Sequence, residues 1–309
     1  MKSYARISHV PPLMQSPSQQ PRPRGPLVTI NDDAQRKRTR GVTKELFSEL
    51  QMTARKRIGM LTPSSNTVVE PLTATMLSGV PDVSAHFSRF KVTEIAISES
   101  SDRQFSDDEI LRAAALLTHA KVDVIAWNGT SAGWLGFERD EQLCQQITAT
   151  TGVAACTSVL AFREIFERTG VSRVGLVTPY TDAVQARIVE NWRRAGILCP
   201  AERHSNLQDN FAFAEVTEHE IAEMTRAVAG AGIDAVAIVC TNMRGGVLVE
   251  SLEAELGVPV YDSVATTLWK SLILAEVRPT SIRGWGSLFF NPLLGSAHSG
   301  QPEGSAAPS

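Results

Sequence analysis

One strand-and-turn pattern occurs twice in this chain, and it limits the possible folds more than any other feature. The first copy runs Val122-Asp123-Val124-Ile125-Ala126-Trp127-Asn128-Gly129-Thr130-Ser131. The second runs Ile233-Asp234-Ala235-Val236-Ala237-Ile238-Val239-Cys240-Thr241-Asn242. Each is an apolar run that ends in a polar turn, as a buried strand feeding a loop does. When the copies are aligned, Asp234 falls on Asp123, Ala237 on Ala126 and Thr241 on Thr130. Cys240 falls on Gly129, so a thiol in one copy faces a glycine in the other.

Two further landmarks repeat in the same order. Arg57-Ile58-Gly59-Met60-Leu61-Thr62-Pro63 returns as Arg173-Val174-Gly175-Leu176-Val177-Thr178-Pro179, followed by Tyr180. The segment Thr151 to Val159 returns as Leu256 to Val264. The spacing far exceeds the roughly 20–50 residues of solenoid repeats, so the pattern is that of a duplicated domain. Between the strands lie helical patterns at Thr67–Leu77, Ser106–Ala120, Glu138–Thr150, Val159–Arg168, Thr181–Ala195 and Thr217–Gly230, with a further strand over 83–92. Alternating strands and helices predict parallel sheets built from βαβ units. The fold class expected is α/β: two similar flavodoxin-like domains related by a pseudo-twofold duplication, with the active site in the cleft between them. Ligands bind such sheets at the carboxyl ends of the strands, where Pro63, the Gly129 turn, Tyr180 and the Cys240 turn all fall.

Composition fits this reading. The chain has 309 residues, 43% hydrophobic and 20% charged, with a net charge of −3, as for an ordinary soluble globular protein. Its four cysteines (Cys144, Cys156, Cys199, Cys240) show no C-x-x-C spacing, and its six histidines show no ligand pattern, so no metal site is expected. The expected location is the reducing cytoplasm. No apolar run approaches the roughly 20 residues that span a bilayer, and neither membrane nor nucleic-acid binding is expected. No P-loop or dinucleotide fingerprint occurs, so no cofactor is expected.

Residues 1–54 read as a disordered Pro- and Arg-rich tail. The basic cluster Arg36–Arg40 reads as solvated, 42–53 as a short helix, and the basic N-terminus lacks the apolar core of a secretory signal. The expected domains are 55–155 with 260–290, then 156–259, then a frayed tail over 291–309.

Among the turn residues, Cys240 is the candidate acid/base, since a helix N-terminus after it would favour its thiolate. Thr130, Ser131, Thr241 and Tyr180 offer hydroxyls for a carboxylate or a developing enediolate. Asn66 reads equally as a helix cap or as a group facing a substrate carboxylate. Trp127 and Trp134 flank the glycine turn and read as core or pocket wall.

The segment Thr62-Pro63-Ser64-Ser65-Asn66-Thr67-Val68-Val69-Glu70-Pro71, together with Val177-Thr178-Pro179-Tyr180 and Cys240-Thr241-Asn242, resembles the aspartate/glutamate racemase superfamily. The similar branch is that of maleate cis-trans isomerases and arylmalonate decarboxylases, over about residues 55–290. The resemblance implies two α/β domains, a cleft active site without a cofactor, frequent oligomers, and a C-terminal strand and helix that return to the first domain. Racemases and isomerases of that family use two cysteines, one per half, and this chain has Gly129 at the first. Arylmalonate decarboxylases carry Gly-Thr-Ser there, as in Gly129-Thr130-Ser131, with one cysteine in the second half, as at Cys240. Tyr180 matches their oxyanion-pocket tyrosine, and Ala155-Cys156-Thr157 resembles their sequence. Asn66, Asn210 and the Cys240-Thr241-Asn242 turn resemble the isomerases instead.

The resulting expectation is cofactor-free carbanion chemistry on a small dicarboxylic acid. The main reading is decarboxylation of a substituted (aryl)malonate with Cys240 as proton donor. Pro63, Ser65, Asn66, Thr130, Ser131, Tyr180, Asn210, Thr241 and Asn242 would bind the substrate, and Gly129 would mark the missing first cysteine. The alternatives are a maleate isomerase or an Asp/Glu/hydantoin-type racemase, and a non-catalytic carboxylate-binding domain.

Overall fold

In the computed structural model, residues 55–95, 97, 107–230 and 232–295 are described. The features expected over 1–54, and those from 296 onward, lie outside them.

The first half runs β1 (Lys56–Pro63), α1 (Val69–Leu77), β2 (Val83–Phe90), α2 (Asp107–Thr118), β3 (Val124–Trp127), α3 (Ala132–Leu135), α4 (Phe137–Thr151) and β4 (Ala154–Thr157). Helix α5 (Ser158–Thr169) leads to β5 (Arg173–Thr178), α6 (Asp182–Arg194), β6 (Leu198–His204), α7 (Glu218–Ala229), β7 (Ala235–Ile238), α8 (Val249–Leu256), β8 (Val260–Asp262) and α9 (Ser263–Leu274). All strand pairs are parallel, in two sheets of order β2-β1-β3-β4 and β6-β5-β7-β8. The two halves have the same topology. Strand order reverses between β1 and β3, and again between β5 and β7, and these are the switch points where open α/β sheets bind ligands. Gly129 lies just past β3 and Cys240 just past β7.

The duplication extends to individual hydrogen bonds. Asp123 Oδ2 accepts from Arg57 N at 2.7 Å, and Asp234 Oδ2 accepts from Arg173 N at 2.8 Å. Asn128 N donates to Leu61 O at 3.0 Å, and Val239 N to Val177 O at 2.8 Å. Ser158 Oγ reaches Trp127 O, as Ser263 Oγ reaches Ile238 O. The helix after the fourth strand of each half is capped by the strand's last residue. Thr157 accepts from Leu160 N, and Asp262 accepts from Val264 N and Ala265 N, satisfying donors that a helix start leaves open.

These two helices are exchanged between the halves. Phe162 and Phe166 of α5 pack on Trp192 of α6, and Phe166 also packs on Tyr261 of β8. In return α9, buried almost throughout, packs on β3, β4 and α1. The described halves thereby form one compact unit.

Several expectations need correction. Within the expected return of 260–290 to the first half, β8 instead pairs with β7 in the second sheet. A boundary at 155 would cut β4, which stays in the first sheet through Thr157. Residues 291–295 are docked rather than frayed: Leu294 is buried and its carbonyl accepts from Trp269 Nε1 at 3.0 Å. The sequence reading also missed β6 and α8. Among the described residues no helix is long and apolar enough to cross a membrane, and no group of three or more His, Cys, Asp or Glu could hold a metal ion.

Candidate active site

The carboxyl ends of β1, β3, β5 and β7 meet at one small cavity. It is lined by Pro63, Gly129, Thr130, Ser131, Tyr180, Asn210, Cys240 and Thr241. Ser65, Asn66 and Asn242 do not line it. They belong to the hydrogen-bond network that surrounds it. Val92 and Ile95, from the loop after β2, complete the wall with Trp127 and Trp134. The two loop residues had no sequence signal, because a lone aliphatic in a polar loop carries no periodicity. The two tryptophans are both wall and core, fully buried and facing the cavity.

Each half sends its threonine across to the other. Thr130 Oγ1 lies 2.5 Å from the Tyr180 hydroxyl, which follows β5. Thr241 Oγ1 accepts from Asn66 Nδ2 at 3.2 Å and donates to Asn128 O at 3.0 Å. Of the two readings of Asn66, its contacts here are those of the cap, together with a bridge to the second half. Its Oδ1 accepts from Val68 N and Val69 N at the start of α1, while its Nδ2 holds the second half. Asn242 Oδ1 accepts from Thr67 N at 2.9 Å, and its Nδ2 donates to Asn210 O at 2.5 Å. Asn210 Nδ2 donates to Ser65 Oγ at 2.7 Å, and Ser65 Oγ donates to Val92 O at 2.6 Å. The isomerase-like asparagines thus bind each other's neighbourhoods and fix how the two halves meet. Buried polar groups of this kind are costly unless fully paired.

Cys240 is buried. Its Sγ accepts from Asn242 N at 3.3 Å, Met243 N donates to its carbonyl at 3.4 Å, and the Tyr180 hydroxyl is a further polar neighbour of the thiol. No α-helix starts behind it: a turn and a short 3-10 segment (Gly246–Leu248) intervene before α8 begins at Val249. The expected thiolate stabilisation by a helix N-terminus is therefore absent. Burial dominates and pushes the thiol up to about 12, against the Tyr180 hydroxyl and the turn amides. Cys240 is a protonated acid at neutral pH rather than a ready nucleophile. Burial likewise holds the Tyr180 phenol well above its usual value.

In the wall of the same cavity, no side chain extends from Gly129, and the indole of Trp127 lies against it. A Cβ at position 129 would stand 1.9 Å from Trp127 Cζ2. The cavity between these groups measures about 20 Å³, room for about one water. A larger cavity of about 690 Å³ lies elsewhere, lined by Cys144, Cys156, Arg163, Glu164 and Lys270. Its charged groups are paired with each other, as in Lys270–Glu164 at 2.5 Å, and no duplicated turn reaches it. Cys144 and Cys156 are both pushed upward chiefly by burial, as inert core thiols are.

The chain is similar to known proteins over most of its length. A family model described as arylmalonate decarboxylase matches residues 58–289. A maleate isomerase of Pseudomonas putida is 29% identical over 252 residues, covering 77% of this chain and 98% of the relative. A maleate isomerase of Geobacillus stearothermophilus is 26% identical, covering 75% and 96%. Among solved structures, a cysteine-to-alanine variant of maleate isomerase from Pseudomonas putida S16 with maleate superposes with a TM-score of 0.70 at 23% identity, covering 78% of this chain and 98% of that one. Arylmalonate decarboxylase superposes with a TM-score of 0.63 at 22% identity, covering 76% and 99%. With its duplicated sheets and the site at their shared edge, the chain belongs to the arylmalonate decarboxylase family.

Proposed function

We propose that the chain decarboxylates a small malonate-type dicarboxylic acid without a cofactor, and that Cys240 supplies the proton. The observation that carries this reading is a single protonated thiol sharing one cavity with a glycine whose side is filled by an indole. Thr130, Ser131 and Tyr180 would hold the retained carboxylate. The departing carboxylate would lie against Val92, Ile95 and Trp134, where its charge is poorly solvated. The bond to CO2 breaks and its electron pair remains on the α-carbon as an enediolate, stabilised by the hydroxyls. The Cys240 S–H then gives its proton to that carbon, and water reprotonates the sulfur. With one acid on one face, a stereogenic product forms as one enantiomer. The closed cavity must widen to admit any dicarboxylate.

A second reading is maleate isomerisation, and the names of the curated relatives favour it over decarboxylation. A maleate cis-trans isomerase of Nocardia farcinica carries a succinylcysteine intermediate. The residues resembling that branch, Asn66, Asn210 and Asn242, are all present here, yet Gly129 offers no sulfur for such an adduct. Assay of the purified chain with phenylmalonate-type acids and with maleate separates the two. Release of CO2 that is lost in Cys240→Ala supports the first reading. Fumarate from maleate without CO2 supports the second, and binding without turnover would leave a carboxylate-binding domain.

A further inference from the structure

We infer that Trp127 is a specificity-determining residue of this site, because its indole occupies the seat that a thiol at position 129 would need. This inference deepens the reading above and rests on it only for the reaction, not for the geometry. Trp127 ends β3, and residues two apart on an extended chain share a face. The indole therefore folds forward along the strand over Gly129. A Cβ at 129 would lie 1.9 Å from Cζ2, 2.2 Å from Cε2 and 2.5 Å from Cη2, all inside contact distance. The Gly129 backbone is not left-handed, so the requirement for glycine there is steric rather than conformational. The ring is held from behind by Phe90, at 5.1 Å between centroids.

The second half shows the other solution at the same place. Ile238 stands where Trp127 does, and Cys240 where Gly129 does. A branched aliphatic leaves the position two residues on open for a thiol, and a tryptophan does not. Trp127 and Gly129 thus form a coupled pair that closes the first-half face. That closure excludes a second acid, and it also excludes substrate bulk on that side, since Trp127 walls the same cavity. A substrate side group must therefore point away from Gly129.

The test uses the full chain and four proteins: wild type, Gly129→Cys, Trp127→Ile and the double variant. Gly129→Cys alone should lower the melting temperature by roughly 3–10 °C through overpacking. The double variant should melt well above the sum of the two single losses. Additive losses would overturn the pairing, as would Gly129→Cys melting like wild type. Trp127→Phe with Gly129→Cys serves in the same way if isoleucine proves too destabilising. Coupling is read without any substrate, so a failed decarboxylase assay beside clear coupling sinks the reaction and not the pairing. Where turnover is present, Trp127→Ile should raise kcat/KM for a malonate with a bulkier side group about tenfold relative to a small one. An unchanged ratio would overturn the specificity role.

Discussion

The Tyr180 hydroxyl lies 2.5 Å from Thr130 Oγ1 and neighbours the Cys240 thiol, so one phenol joins the first-half turn to the second-half cysteine. It is positioned both to hold a developing enediolate and to orient the proton donor. Tyr180→Phe should keep the ring's edge contacts with Trp134 and Phe213 and remove only the hydroxyl. Steady-state kinetics should show kcat lower by about 10²–10³, the usual cost of one oxyanion donor. Denaturant unfolding should show a loss of about 1–3 kcal/mol for the stranded Thr130 hydroxyl.

The Cys240 thiol, pushed up to about 12 by burial, gives a pH signature. A proton donor is competent below its pKa, so the alkaline limb of kcat should stay flat from pH 7 to 9. A thiolate nucleophile would instead gain about tenfold per pH unit over that range. Iodoacetamide should label Cys240 in the folded chain far more slowly than a free thiol at pH 8.

The junction between the halves depends on Asn242, whose side chain takes Thr67 N and gives to Asn210 O. Asn210 is buried, and the contact to Thr67 N is partly buried. Asn242→Ala strands one donor and one acceptor, at about 1–3 kcal/mol each. Urea unfolding should show a loss of about 2–5 kcal/mol, with turnover falling because the Thr130–Tyr180 contact spans the same junction.

Much of this was legible in the residues, for a physical reason. The apolar runs ending at Thr62-Pro63, Gly129, Tyr180 and Cys240 are strands buried on both faces, so their sequence is uninterrupted and their turns stand out. Strand β6 was not legible: it is the edge of its sheet, half-exposed along its length, and carries Pro200, which an edge tolerates and a central strand does not. Helix α8 buries only Val249 and Leu252, too few to show a period. The role of Asn66 needed the fold, since a cap and an interdomain bridge demand the same side chain. The lie of the Trp127 indole over Gly129 is a matter of rotamer, which no pattern of residue types encodes.

Asp262 caps α9 from full burial, and that burial raises its carboxyl from 3.8 to about 7 against the amides of Val264, Ala265 and Gly246. The folded chain therefore binds a proton more tightly than the unfolded one. Its contribution to stability is complete below about pH 4 and is lost as pH rises through 7, by about 1.4 kcal/mol per pH unit between those values. Asp262→Asn keeps the capping oxygen and does not ionise. Melting curves from pH 4 to 8 should show the variant gaining steadily on the wild type, and parallel curves would contradict a protonated Asp262.

One-sided protonation by Cys240, with Gly129 blocked in the same cavity, makes a definite stereochemical prediction. The most direct measurement is turnover of a prochiral aryl-methyl malonate in D2O, with CO2 quantified and the product resolved by enantiomer. The expected result is one deuterium at the α-carbon, a single enantiomer, and loss of turnover in Cys240→Ala. A racemic product, or turnover that survives Cys240→Ala, would contradict it.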